Sequence, residues 1–102
     1  MTPNICSARR TVTLSNVLGL HLRPASKFVE FAKTFQSDIR VGCKGTMANG
    51  KSILSLLSLA AECGTMLALE ARGDDAQDAV ETLAELVAAR FHDSDEPATK
   101  SA

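Results

Sequence analysis

The spacing of apolar residues along this chain switches between a period of two and a period of about 3.6 residues, the signatures of strands and helices. Over residues 10–15, Thr11 and Thr13 share one side and Val12 and Leu14 the other, which predicts a half-buried strand. Asn16 to Leu20, with Gly19, reads as a connection. Over residues 22–35 the period turns helical: Ala25, Phe28, Val29, Ala32 and Phe35 form one stripe, and Phe31 lies off it, partly exposed. Pro24 suits a first turn, where a missing N–H costs little. Ile39, Val41 and Cys43 alternate with Asp38, Arg40 and Gly42 as a second strand. Lys44-Gly45 reads as a tight turn into a short third strand over residues 46–48, and Asn49-Gly50 as another turn. Ser52 is placed to cap a short apolar helix over residues 53–60, with no Glu or Gln to complete a capping box and with Gly64 breaking the chain beyond it. Leu67, Leu69 and Ala71 alternate with Ala68, Glu70 and Arg72 as a fourth strand. After Gly73-Asp74-Asp75, the residues Ala76, Ala79, Val80, Leu83 and Val87 form the core stripe of a last helix ending near Phe91. Residues 1–8 have no period and read as a flexible N-terminus; residues 92–102 are polar, contain Pro97, and read as a disordered tail.

The order β-α-β-β-α-β-α predicts an α+β domain of two layers, a four-stranded antiparallel sheet covered on one face by three helices. A length of 102 residues leaves room for one domain, expected at residues 9–91 without repeat or linker. Apolar residues at 45% and charged residues at 23% are those of an ordinary globular protein. A formal net charge of −1 gives no bulk attraction to nucleic acid or to an anionic membrane. All four aromatic residues are Phe, so no platform for stacking bases is visible. Cys6, Cys43 and Cys63 are odd in number, widely spaced and without a C-x-x-C pair, which fits thiols in a reducing cytosol rather than a disulfide framework or zinc site. With no export leader and no apolar run near about 18 residues, a cytoplasmic protein is expected. Nothing calls for a metal or other cofactor.

The segment Gly19-Leu20-His21-Leu22-Arg23-Pro24-Ala25 carries the clearest chemistry. It places a histidine at the mouth of a helix, where unpaired N–H groups present partial positive charge to an anion. The amides of Leu22 and Arg23 are the available donors, because Pro24 has none. Arg23 adds a guanidinium able to grip phosphate oxygens in a fork. Imidazole, with an ordinary pKa near 6.5, is partly neutral at cellular pH and can act as a nucleophile. These groups suit a transient phosphoramidate on His21; a surface histidine that merely caps a helix has the same pattern. Elsewhere, His92 beside Asp93 reads as solvated, and Asp74, Asp75 and Asp78 as first-turn acids favoured by the helix dipole rather than a metal site. Glu62-Cys63 has no neighbour in sequence that suggests catalysis.

The histidine segment resembles the active-site signature of the HPr family, the histidine-containing phosphocarriers of the bacterial phosphoenolpyruvate-dependent phosphotransferase system. Lys51-Ser52-Ile53, the apolar helix after it, and Gly64-Thr65 are similar to that family's regulatory-serine segment. The element order also resembles the family's open-faced β-sandwich, and the likeness spans about residues 9–91. It implies that His21 accepts a phosphoryl group from phosphorylated enzyme I and donates it to a downstream A-type component, with Arg23 holding the group. It implies that Ser52 is the target of HPr kinase/phosphorylase and that Ile53, Leu54 and Leu57 form an apolar docking patch. Core packing is the competing role for those three, with at least one of Leu56 and Leu59 facing inward, and simple capping is the competing role for Ser52. The protein implied is a monomeric relay for sugar transport and carbon regulation, with no small-molecule turnover of its own.

Three features depart from the family pattern. Leu22 follows the histidine where a small or hydroxyl residue is usual, making the phosphoryl pocket more apolar. Leu18 stands where many members have a small polar residue near the ring. The lead-in Val17-Leu18-Gly19 is closer to the nitrogen-regulatory paralogue, whereas Lys51-Ser52-Ile53 is like the sugar branch, so a nitrogen-branch phosphocarrier stays open. A purely regulatory HPr-like module acting through phosphorylated Ser52 is a second alternative, one with no need of His21. A small α+β nucleic-acid-binding domain is a third, disfavoured by the near-neutral charge and the lack of aromatics on the sheet.

Overall fold

The computed structural model describes residues 6–92. Its elements run β1 (Ser7–Thr13), α1 (Leu22–Ala32), β2 (Asp38–Cys43), β3 (Thr46–Asn49), α2 (Ile53–Leu57), β4 (Met66–Arg72) and α3 (Ala76–Ala88), closed by a 3-10 turn at Arg90–His92. The order and type of every element match the sequence expectation. The four strands form one antiparallel sheet in the order β1-β4-β2-β3.

The period-two pattern explains the layering. Leu67, Leu69 and Ala71 on β4 and Ile39, Val41 and Cys43 on β2 are buried on one face. Phe28 and Val29 from α1 and Val80, Leu83 and Val87 from α3 complete the same core. Fully burying one such aliphatic or aromatic side chain contributes about 1.5–3 kcal/mol. The opposite face stays open: Thr11 pairs with Ala68 and Ala68 with Gly42, whose neighbour Met47 is exposed. The β2–β3 hairpin turns through Lys44 at φ 51° and Gly45 at φ 85°. Two successive positive φ values give the turn whose twist matches that of the flanking strands, and a glycine supplies one of them without strain.

Several boundaries differ from the expectation. β1 begins at Ser7 rather than Arg10, because it pairs with β4 over its whole length, from Ser7 opposite Arg72 to Thr13 opposite Met66. Ser7 and Ala8 therefore belong to the sheet and not to a flexible terminus. α1 stops at Ala32, three residues early. The Thr34 and Phe35 amides turn back to the carbonyls of Phe31 and Ala32, which tightens the last turn, and the Thr34 hydroxyl also takes the Phe31 carbonyl, at 2.7 Å. Phe35 still reaches the core from outside the helix. α2 has only five residues, since Ala60 already turns to φ 51°. α3 ends at Ala88, and Phe91, at φ 60°, is fully buried beyond it. His92, counted with the tail, lies exposed in the 3-10 turn. The expectations for residues 1–5 and 93–102 lie outside the described residues.

Asp75 corrects the reading of the acidic cluster. It occupies the N-cap of α3 but makes no side-chain cap bond. Its carboxylate instead accepts the Gln36 amide at 2.9 Å, the Ser37 amide at 3.0 Å and the Ser37 hydroxyl, thirty-eight residues away and buried. Asp78 alone is the acid of the α3 first turn. The Ser37 hydroxyl first, and then the Gln36 amide, hold the Asp75 carboxyl below its ordinary value of 3.8.

A depressed folded pKa adds stability that is fully present above the unfolded value and is lost as pH falls through the folded one. Asp75→Ala is therefore expected to melt below the wild type at neutral pH, with the gap closing as pH drops from 3.8 downward. Thermal melts of both proteins across that acid range check it.

Candidate functional site

The histidine loop is built from its contact with the loop before β4. Leu14, fully buried just past the end of β1, donates its amide to the Thr65 carbonyl at 2.8 Å and accepts from the Gly64 amide at 2.7 Å. A turn then closes between the Asn16 carbonyl and the Gly19 amide at 3.0 Å, with Asn16 buried inside it. The Leu20 amide donates to the Ala61 carbonyl at 3.0 Å. Gly19 makes this approach possible. Its φ is +75°, and a Cβ there would stand 2.4 Å from the Ala61 oxygen. Leu20 is buried directly behind the histidine.

His21 is the N-cap of α1, with extended backbone at φ −94°, ψ −169°. Its carbonyl accepts from the Ala25 amide at 3.0 Å, the first bond of the helix. Its half-buried ring makes no cap bond to that helix, so merely capping α1 does not account for it. The amides of Leu22 and Arg23 have no intrahelical acceptor. The first turn of α1 holds no acidic residue of its own. Arg23 is exposed in that first turn. An anion on the His21 ring would meet partial positive charge from the helix and full charge from Arg23.

Ser52 caps α2 as expected, its hydroxyl accepting from the Ser55 amide at 3.2 Å. The proposed docking residues separate. Leu54 is 79% exposed, whereas Ile53 and Leu57 are half-buried against the core and Leu56 is buried. Exposed aliphatic surface lies instead on the histidine loop, where Leu18 and Leu22 are each 59% exposed and Val17 is 49% exposed. Sequence reasoning took Leu18 and Leu22 as departures at the phosphoryl pocket and missed that they widen the apolar surface around it. It also missed Ala61, whose contribution is a main-chain carbonyl without any side-chain signal; Gly64 and Thr65 were visible, their pairing with Leu14 was not.

Cys43 is buried and Cys6 and Cys63 are exposed, all three as free thiols. Among the described residues no cluster of His, Cys, Asp and Glu could hold a metal ion, and no helix is long and apolar enough to cross a membrane.

Gly19→Ala tests the loop contact. Left-handed backbone for a residue with a Cβ, together with the clash at Ala61, is expected to cost about 1–3 kcal/mol. For a domain of this size each kcal/mol lowers Tm by about 4–8 °C. A calorimetric melt checks the loss, and Tm equal to the wild type would contradict the contact.

Comparison with known proteins agrees with this geometry. Residues 8–89 match the family model described as the PTS HPr component phosphorylation site. Phosphocarrier protein HPr of Haemophilus influenzae is 48% identical over 69 residues, 68% of this chain and 81% of its own length. The HPr-like protein Crh of Bacillus subtilis is 46% identical over 69 residues, with the same shares of the two chains. The crystal structure of HPr-C-His from Thermoanaerobacter tengcongensis superposes with a TM-score of 0.81 at 36% identity, over 85% of this chain and 98% of that one. The family match over most of the chain, together with the likeness to these relatives and to a solved HPr structure, shows that the chain belongs to the HPr family of phosphocarriers.

Proposed function

We propose that this chain relays a phosphoryl group through a ring nitrogen of His21, accepting it from phosphorylated enzyme I and passing it to an A-type component in the cytoplasm, as a monomer. The observation that carries the reading is the position of His21: half-buried at the N-cap of α1, a helix whose first turn contributes no acid and to which its side chain makes no cap bond. In the accepting step the unprotonated ring nitrogen attacks phosphorus in line. The donor's bond to phosphorus breaks as the new N–P bond forms, and the charge spreads over three equatorial oxygens. The amides of Leu22 and Arg23 and the Arg23 guanidinium face that charge. The same groups hold the phosphoryl on the ring until an acceptor takes it, so the chain turns over no small molecule.

Ser52 is proposed as the control point, modified by HPr kinase/phosphorylase. A phosphate there adds negative charge beside Leu54, on the surface that docks. Like-charge contacts at an interface cost several kcal/mol. The second reading, a regulatory module acting through phosphorylated Ser52 alone, is favoured by the similarity to Crh, whose solution structure is described as the catabolite repression HPr. It requires nothing of His21, and the histidine variant separates the two.

His21→Ala is expected to abolish labelling by enzyme I and phosphoenolpyruvate while the melt stays near that of the wild type. Labelling of the variant at the wild-type rate would overturn the relay. Arg23→Ala removes a charge-assisted bond worth roughly 1.5–3 kcal/mol, so rapid-quench transfer is expected to slow by about one to two decades. Ser52→Asp keeps an acceptor for the Ser55 amide, so its melting temperature is expected to hold while transfer from enzyme I falls. A large drop in Tm would assign Ser52 to capping, and unchanged transfer would remove its regulatory role.

A further inference from the structure

The link that follows α1 is gripped by two side chains of opposite charge, each on the polar group that suits it. Lys51 Nζ donates to the Phe35 carbonyl at 2.7 Å in partly buried surroundings, across 16 residues of sequence. Asp75 accepts the amides of the next two residues, Gln36 and Ser37. α1 has no basic residue in its own last turn. Lys33 stands at its C-cap, and a second cation reaches the link just beyond the helix from elsewhere in the chain.

It comes from the residue directly before Ser52, the N-cap of α2. The backbone of that residue is fixed as well. The Lys51 amide donates to Asn49 Oδ1 at 2.9 Å, and the Asn49 amide donates to Ser55 Oγ at 2.9 Å. α2 has five residues, far below the length at which a helix holds itself. Its orientation depends on what ties it down, and α1, which it packs against, carries His21 at the opposite end.

We propose that Lys51 is a positioning residue for phosphoryl transfer: its ammonium, bound to the Phe35 carbonyl, struts the start of α2 against the end of α1 and so fixes Leu54 relative to His21. The inference rests on the reading of His21 as the carrier and of α2 as a docking element. It assigns Lys51 a role in partner binding and none in the chemical step. His21 and Arg23 are held by the separate contact between Leu20 and Ala61, which the strut does not touch. A loosened α2 must be ordered by the partner at each encounter, so the loss appears in KM and not in kcat.

Lys51→Met keeps the aliphatic stem and removes the donor; Lys51→Arg keeps a charged donor. Both are measured as acceptors from phosphorylated enzyme I over a range of carrier concentration, alongside a melt and amide hydrogen exchange. For Lys51→Met, KM is expected to rise about tenfold, equivalent to about 1.4 kcal/mol, with kcat within about twofold. Amides of residues 53–57 are expected to exchange faster, and Lys51→Arg is expected to recover most of both effects. An unchanged KM, a loss confined to kcat, or no recovery by arginine overturns the proposal. A wild-type chain that takes no phosphoryl group from enzyme I overturns the carrier reading instead. The exchange data then decide the strut alone, and unchanged protection over residues 53–57 in Lys51→Met overturns it.

Discussion

The hydrogen bond from the Leu20 amide to the Ala61 carbonyl, made across a glycine pressed against the same oxygen, is the constraint on which the site depends. It joins the only segment between β1 and α1 to the only segment between α2 and β4. The sheet supplies the frame: β1 and β4 pair along their whole length, and the pairing passes beyond the strands through Leu14, Gly64 and Thr65. Leu20 is then buried, and the next residue has nowhere to go but the mouth of α1. The histidine is thus positioned by backbone geometry.

A second constraint acts at the other end of α1. The Phe35 carbonyl and the Gln36 and Ser37 amides, in the link just beyond it, would otherwise be poorly satisfied, and burial of unmet polar groups is costly. Lys51 and Asp75 meet them from opposite sides. α1 is thereby fixed at both ends by contacts from later in the chain, with its apolar stripe of Ala25, Phe28, Val29 and Ala32 buried in the core between them. One end presents the reactive group; the other ties in the short helix that carries the exposed Leu54.

How much of this was legible in the sequence follows from the kind of interaction involved. Periodic burial was legible: Ile39, Val41 and Cys43, or Ala76, Ala79, Val80, Leu83 and Val87, declare their inward face by spacing alone, and all are buried. So were positions marked by backbone chemistry, such as Lys44-Gly45 and the Ser52 cap. Strand and helix ends were less so. Ser7 joins β1 because of its partner Arg72, sixty-five positions later, and α1 stops at Ala32 although the apolar stripe continues to Phe35. Contacts between side chains and distant backbone were invisible, which is why Asp75 read as an acid serving its own helix. The sequence left Ile53 and Leu57 open between docking and core packing, and both are half-buried: a five-residue helix lying on a core buries parts of several faces at once.

The most direct test of the central claim is the location of the phosphoryl group. The full chain, incubated with enzyme I and phosphoenolpyruvate, is digested at neutral or alkaline pH and its peptides are weighed. The account predicts one added phosphoryl group, lost in acid, on the peptide that contains His21. A group retained through acid, or mapped to a peptide containing His92 in place of His21, would contradict it.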